Sequence, residues 1–189
     1  MDYSIRTLRA DEWEKARELR LAALQDPVAH LAFLDTYEDA VERPDSFWQE
    51  RGAGASESGD GSVRPFVAEA ADGRWVGSVT VLVERASADA VFGASAKVDQ
   101  THIVGVYVRP EARGGGAIDG LFRAAVEWSW TLSDPVVERV RLYVHEDNAR
   151  AAAFYRRFGF VASGARVTLE SGVSAGAEEV EYELPRPGA

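Results

Sequence analysis

Polar and apolar positions alternate over Tyr3-Ser4-Ile5-Arg6-Thr7-Leu8, which predicts a strand. The period then lengthens. Trp13, Ala16, Leu19 and Ala23 recur at helical spacing with Leu24 beside them, so a helix is expected here, capped by Asp11 and ended by Pro27. Pro44 suits the first turn of a second helix carrying Phe47 and Trp48. Residues 52–62, rich in Gly, Ser and Ala, read as a flexible loop. Phe66–Ala70 and Trp75–Val83 flank Asp72-Gly73, a hairpin signal. Ser87–Gln100 is a polar, Ala-rich insertion. Thr101–Val108 is an apolar run suited to a buried strand, and Pro110 stops it because it has no N–H for a ladder. Ile118, Leu121, Phe122, Ala125 and Val126 share a helical face. Val140–Val144 reads as a strand, and Asn148–Phe158 as a helix with Gly159 as a left-handed stop. Phe160–Ala162 and Glu179–Leu184 close the pattern, and Pro185–Ala189 form a loose tail. The expected order is β-α-α-β-β-β-α-β-α-β-β, an α/β (α+β) chain in one domain spanning 1–189.

Composition narrows the chemistry. The absence of cysteine excludes disulfides, thiolate zinc sites and a cysteine nucleophile. No apolar stretch is long enough to span a bilayer, and the start lacks the order of a signal peptide, so no membrane partner and a cytoplasmic location are expected. No metal site is expected. A homodimer is compatible with the sequence. The net charge of −10 disfavours nucleic acid and favours a cationic ligand. An anionic ligand would need a local positive site.

One segment could supply it. Arg109-Pro110-Glu111-Ala112-Arg113-Gly114-Gly115-Gly116 joins the strand ending at Val108 to the helix beginning near Ala117. Its glycines admit backbone angles other residues resist. The helix start supplies unpaired N–H groups and the positive dipole end, which together form an anion site, and Arg113 adds a permanent charge. Such a turn also occurs without any ligand. The missing Gly-Lys-Ser/Thr ending excludes a Walker loop, and the spacing does not support a dinucleotide fold. A second constellation lies further on. Asn148 suits a helix N-cap, and Tyr155 projects from nearly the same face two turns later, with Ala151 and Ala152 keeping that face narrow.

Val108-Arg109-Pro110 followed by Arg113-Gly114-Gly115-Gly116 resembles motif A of the GNAT superfamily of N-acetyltransferases. Asn148-x-x-Ala151-x-x-x-Tyr155-x-x-x-Gly159-Phe160 resembles its motif B. The element order matches the family through most of the chain, whose central sheet is mixed and mostly antiparallel. The resemblance implies acetyl-CoA as acyl donor. Main-chain groups of Val106, Tyr107 and Val108 would take the pantetheine arm. N–H groups of Arg113, Gly114, Gly115, Gly116, Ala117 and Ile118 would hold the pyrophosphate. Asn148 would lie beside the pantetheine, and Tyr155 would point at the thioester sulfur. Ile118 stands where the family has a small residue.

The implied reaction is direct attack of a primary amine within a ternary complex. His102 aligns with the family's strand base and is the leading candidate for that role; it equally suits a packing role. Glu84, placed in a solvated hairpin end, and His145 and Glu146 follow. The acceptor region is expected over Asp35–Glu50 and Ser87–Gln100. Asp35, Glu38, Asp39, Glu42 and Asp45 would give it a negative face, with Trp48 among the aromatics. A small cationic amine, bound by Glu38 and Trp48, is the expected partner. Acetylation of a protein N-terminus or lysine, and a non-catalytic acyl-CoA-binding module, are the alternatives.

Overall fold

The computed structural model describes residues 3–56, 59–86, 88–89, 92–170 and 174–188. The alternating N-terminal segment forms β1 (Ser4–Thr7). A single turn of 3₁₀ helix at Ala10–Glu12 leads into α1 (Trp13–Leu24); Asp11 does not cap α1, and the Glu12 carboxylate accepts from the Arg9 N–H at 3.0 Å to close the 3₁₀ turn. A short α2 (Tyr37–Val41), capped by the Thr36 hydroxyl, is an element the periodicity did not reveal because it is little more than one turn. α3 (Asp45–Ala55) starts after Pro44 as expected but runs on through Gly52 and Gly54. The anticipated loop over 52–62 is therefore helical in its first part; Glu57 and Ser58 lie outside the described residues. Packing overrides the glycine propensity here. A Cβ on Gly52 would stand 3.2 Å from the Cβ of Trp13, so glycine lets α3 approach the start of α1.

The hairpin of β2 (Val63–Glu69) and β3 (Trp75–Glu84) is followed by β4 (Gln100–Val108), α4 (Ala117–Thr131), β5 (Arg139–His145), α5 (Ala149–Phe158), β6 (Val161–Thr168) and β7 (Glu178–Pro185). Of the insertion, Ser87, Ala90 and Val91 lie outside the described residues. The tail is less loose than expected. Pro185 is still in register with Arg139, and the Arg186 guanidinium caps the carbonyls of Val137 and Trp130 at 2.9 and 2.8 Å. Ala189 lies outside the described residues, as do Met1 and Asp2.

The strands form a seven-stranded sheet in the order β1-β2-β3-β4-β5-β7-β6. Every neighbouring pair is antiparallel except β4 and β5. One face packs on α4 and α5, with Leu121, Phe122 and Ala125 of α4 fully buried against Val79, Val81, Ile103 and Val140 of the strands. The other face carries α1 and α3 over β2 and β3, around Leu19, Trp48, Val67 and Trp75. No helix among the described residues is long and apolar enough to cross a membrane.

Candidate active site

The site begins with a mismatch between two strands. β4 runs for 9 residues, yet it pairs with β5 at only Gln100, Thr101 and His102. Beyond His102 the strands part. Gly105 sits at φ +61° within a register shift against β3, between Thr80 and Ser78, and this bulge turns β4 away. Among the described residues, the backbone of β4 from Val104 onward has no strand on its β5 side. A row of unpaired N–H and C=O groups facing a wedge can accept an extended chain as an added strand.

A cleft of about 610 Å³ fills that wedge. Val106, Tyr107 and Val108 form one wall, and Asn148, Ala151 and Tyr155 of α5 form the other. Arg113, Gly114 and Ile118 close it at the glycine turn. Of the residues expected to hold the acyl donor, Val106, Tyr107, Val108, Arg113, Gly114, Ile118, Asn148 and Tyr155 line this cleft, whereas Gly115, Gly116 and Ala117 do not, and Ala117 is buried in the core. Gly116 is the N-cap of α4 at φ +88°, and Gly114 lies at φ +80°, angles that side-chain-bearing residues resist. They turn the chain into α4, whose first turn reaches the cleft through Ile118 and Asp119. Gly115 is held small for another reason: a Cβ there would meet the Tyr3 hydroxyl at 2.9 Å.

Arg113 does not supply the free charge expected of it. Its guanidinium pairs with the buried carboxylate of Asp26, and its Nε donates to the Val108 carbonyl at 3.0 Å. It braces the turn against the end of α1, and its charge is cancelled. Positive potential at the cleft comes instead from the α4 N-terminus and from Arg150, which lines the cleft and makes no ion pair among the described residues. Arg157 also lines it, partnered by Asp119 at 3.0 Å.

Asn148 caps α5 as expected, its Oδ1 accepting from the Ala151 N–H at 3.1 Å, and its Nδ2 reaches the Leu31 carbonyl at 3.4 Å. Tyr155 is 5 % exposed, with its ring near those of Phe122, Phe154, Phe160 and Tyr182. Burial pushes its phenol well above the ordinary range, with Glu179 adding to the effect. Its hydroxyl makes no hydrogen bond among the described residues, so nothing in the protein competes for its proton.

His102 is not brought to the cleft. It is 1 % exposed, under the ring of Phe92 and beside that of Tyr143. Burial lowers its pKa and leaves the ring neutral, donating Nδ1–H to Glu84 Oε1 at 2.9 Å. Glu84 is not solvated either. Burial would raise its carboxyl, but hydrogen bonds from His102, Arg141 and Gln100 outweigh this and hold it at about 2. Arg141 is wholly buried between Glu84 and Glu181. His102 is thereby a member of a structural charge network that joins β3, β4, β5 and β7. His145 is buried at the end of β5, its Nδ1 accepting from the Asp147 N–H at 3.2 Å, and Glu146 is spent on the Glu178 N–H at 3.0 Å.

Two of the five carboxylates expected to form an acidic face are paired with arginines, while Glu38, Asp39 and Glu42 make no ion pair among the described residues. Asp35 is held by Arg20 at 3.0 Å and Arg43 at 3.1 Å, and Asp45 lies 3.5 Å from Arg17. Glu38 is exposed and lines neither cleft nor cavity, whereas Trp48 is buried and lines a separate cavity between α1, α3 and the sheet. Among the described residues no cluster of His, Asp and Glu could hold a metal ion.

Sequence reasoning passed over Glu179. It lies on β7 opposite His145, close enough to Tyr155 for its charge to raise that phenol, but it lines neither the cleft nor the separate cavity. It is half-buried and makes no hydrogen bond or ion pair among the described residues, and burial raises its carboxyl to about 7. The signal was present: Glu179, Glu181 and Glu183 alternate with Val180 and Tyr182, so three carboxylates share one face of β7. Glu181 meets Arg139 and Arg141, and Glu183 meets Arg139, while Glu179 is left over.

The family model described as Acetyltransferase (GNAT) family matches residues 13–160. A mycothiol acetyltransferase of Saccharomonospora viridis is 39% identical over 95 residues, which cover 50% of this chain and 29% of that protein. The chain therefore spans under a third of that relative's length. Among solved structures, Arabidopsis thaliana NAA60 in complex with a bisubstrate analogue superposes with a TM-score of 0.70 at 17% identity, over 100% of both chains. A GNAT-family acetyltransferase from Streptococcus pneumoniae gives 0.73 at 15%, over 98% of this chain and 100% of that one. A mutant of the Vibrio cholerae spermidine N-acetyltransferase SpeG gives 0.63 at 17%, over 96% and 94%. At these identities the structural likeness bears on the fold.

Proposed function

This chain belongs to the GNAT family of acetyltransferases, and we propose that it moves an acetyl group from acetyl-CoA to a small primary amine bound across β4 from the cleft. The observation that carries this reading is the parting of β4 from β5 beyond His102, with Tyr155 and Asn148 on the facing helix. A slender chain with an amide backbone and an anionic end fits such a wedge. Its amides complement the open edge of β4, and its phosphates suit the α4 N-terminus framed by Gly114 and Gly116.

Acetyl-CoA contributes a thioester whose carbonyl carbon accepts the amine and whose thiolate leaves. The protein residues orient and manage charge. A β4 main-chain N–H near Val106 and Tyr107 stabilises the oxygen that becomes negative. Tyr155 donates a hydrogen bond to the sulfur as charge develops there. Full proton transfer is uphill, because a phenol already near 10 in water is a weaker acid than a thiol near about 8.5, and burial widens the gap. Glu179, whose charge is felt by Tyr155 and whose carboxyl is raised to about 7, is the candidate to take the proton of the incoming ammonium. Thiol release from acetyl-CoA over a panel of amines and peptides tests the assignment. Acetyl-CoA binding with no release on any of them would mark a binding module instead.

A further inference from the structure

On the far side of β4 from the cleft lies a cavity of about 110 Å³, walled by α1, α3 and the β3–β4 bulge. Phe33 and Tyr107 line both spaces, so the two adjoin at β4. Most of its wall is apolar, and its polar groups are unusual in their sign. Arg20, Arg51 and Trp48 line it, with Ser78 and Thr80 at the bulge, and among the described residues no aspartate or glutamate does. In a protein of net charge −10 this is a local reversal.

Two further facts point to a ligand. The Trp48 side chain is 3 % exposed, yet its indole N–H has no hydrogen-bond partner. A buried donor left unpaired is costly, so something that accepts a hydrogen bond is expected there. Second, Arg20 and Arg43 share the single carboxylate of Asp35, and Arg51 makes no ion pair among the described residues. Arg51 thus adds a positive charge beside a carboxylate that two guanidiniums already share. Arg51 and Arg43 already depress the Arg20 pKa, after burial itself.

We propose that this cavity is an anion subsite that recognises a carboxylate on the acceptor, which makes the acceptor a small zwitterionic amino acid and not a polyamine. The inference rests on the acetyltransferase reading above. The carboxylate accepts from the Trp48 indole N–H and neutralises Arg51. A volume of about four waters holds a carboxylate and one or two methylenes, and the amine is then directed past Tyr107 toward the cleft.

Two measurements test this. The first compares kcat/KM for β-alanine, its neutral amide and 1,3-diaminopropane, by thiol release, in the wild type and in Arg51→Met. Arg51 is exposed on α3, so the variant should fold. The carboxylate form is expected to be favoured at least 10-fold, and Arg51→Met to abolish that preference by raising KM. Equal or better use of the amide or the diamine, or an equal loss on all three, overturns the proposal. The second needs no turnover. The Trp48 indole N–H resonance, assigned with Trp48→Phe, should move on titration with propionate and stay still with propionamide at matched ionic strength, and Arg51→Met should remove the movement. No response to propionate overturns the subsite. A response without thiol release from any amine leaves the subsite standing and overturns the acetyltransferase reading.

Discussion

Tyr155→Phe removes one oxygen from the middle of the proposed chemistry and little else. The ring stays near Phe122, Phe154 and Phe160, so its apolar packing is retained. The hydroxyl makes no hydrogen bond among the described residues, so no native partner is orphaned. The stability change should therefore stay within about 1 kcal/mol. The transition state loses a hydrogen bond to a sulfur that is becoming anionic. Such bonds in dry sites are worth about 2–4 kcal/mol, which converts to a loss of about 30- to 1000-fold in kcat. The thioester is bound through β4 and the α4 turn, so the affinity for acetyl-CoA should change less than about threefold. Thiol release at saturating donor, with donor affinity measured by titration calorimetry and Tm by differential scanning, separates these effects. Burial raises the phenol above its usual range, so the wild-type rate should show no inflection from Tyr155 at or below about pH 10. Unchanged kcat with an intact fold would refute the role. So would a loss of kcat that merely tracks a loss of stability.

Three other outcomes follow from the same geometry. Glu84 has its folded pKa depressed to about 2 against an ordinary 4.5, so its contribution is present above about pH 4.5 and is lost as pH falls toward 2; Glu84→Gln should cost about 3 kcal/mol at pH 7 and less at pH 3.5, read from urea midpoints at the two pH values. Glu179 has its pKa raised to about 7, so ionising it erodes stability as pH climbs from 4.5 through 7. Glu179→Gln should be more stable than the wild type by about 1 kcal/mol at pH 8, after allowance for solvent screening, and equal at pH 4, while kcat/KM falls 10- to 1000-fold and loses its rise through neutral pH. A Cβ at Gly77 would stand 2.7 Å from the Tyr107 carbonyl and 2.9 Å from Val108 Cγ2, so Gly77→Ala should push β4 into the wedge, weaken acetyl-CoA binding by about 1–3 kcal/mol and leave far-ultraviolet circular dichroism unchanged.

Elements with strong periodicity or punctuation were legible before the fold was seen. The α4 stripe of Leu121, Phe122 and Ala125 is buried as expected, and Asn148 and Gly159 bound α5 where their chemistry places them. Apart from the one-turn α2 and the local cap before α1, the failures share one cause, because each turned on a contact distant in sequence. Gly52 reads as a loop former until Trp13 is seen against it. Glu84 reads as a solvated turn residue until Arg141 and His102 close over it. The site's charges fail the same way, and with opposite signs. Arg113 lost its charge to Asp26 at the far end of α1, so the positive point expected beside the glycines is neutral. Asp35, expected to attract a cation, is claimed by Arg20 and Arg43, and the cavity beside it carries the excess of the other sign. Arg20 was within reach of a closer reading. It stands between Ala16, Leu19 and Ala23 on the helix, and a guanidinium so near a buried stripe must find a carboxylate inside the fold or line a space where one binds. Asp35 accounts for part of that demand. Arg51 and the unpaired Trp48 N–H account for the rest only if the acceptor brings a carboxylate of its own. The choice between a polyamine and an amino acid thus rests on the balance of charge around one cavity, not on the acidic composition of the whole chain.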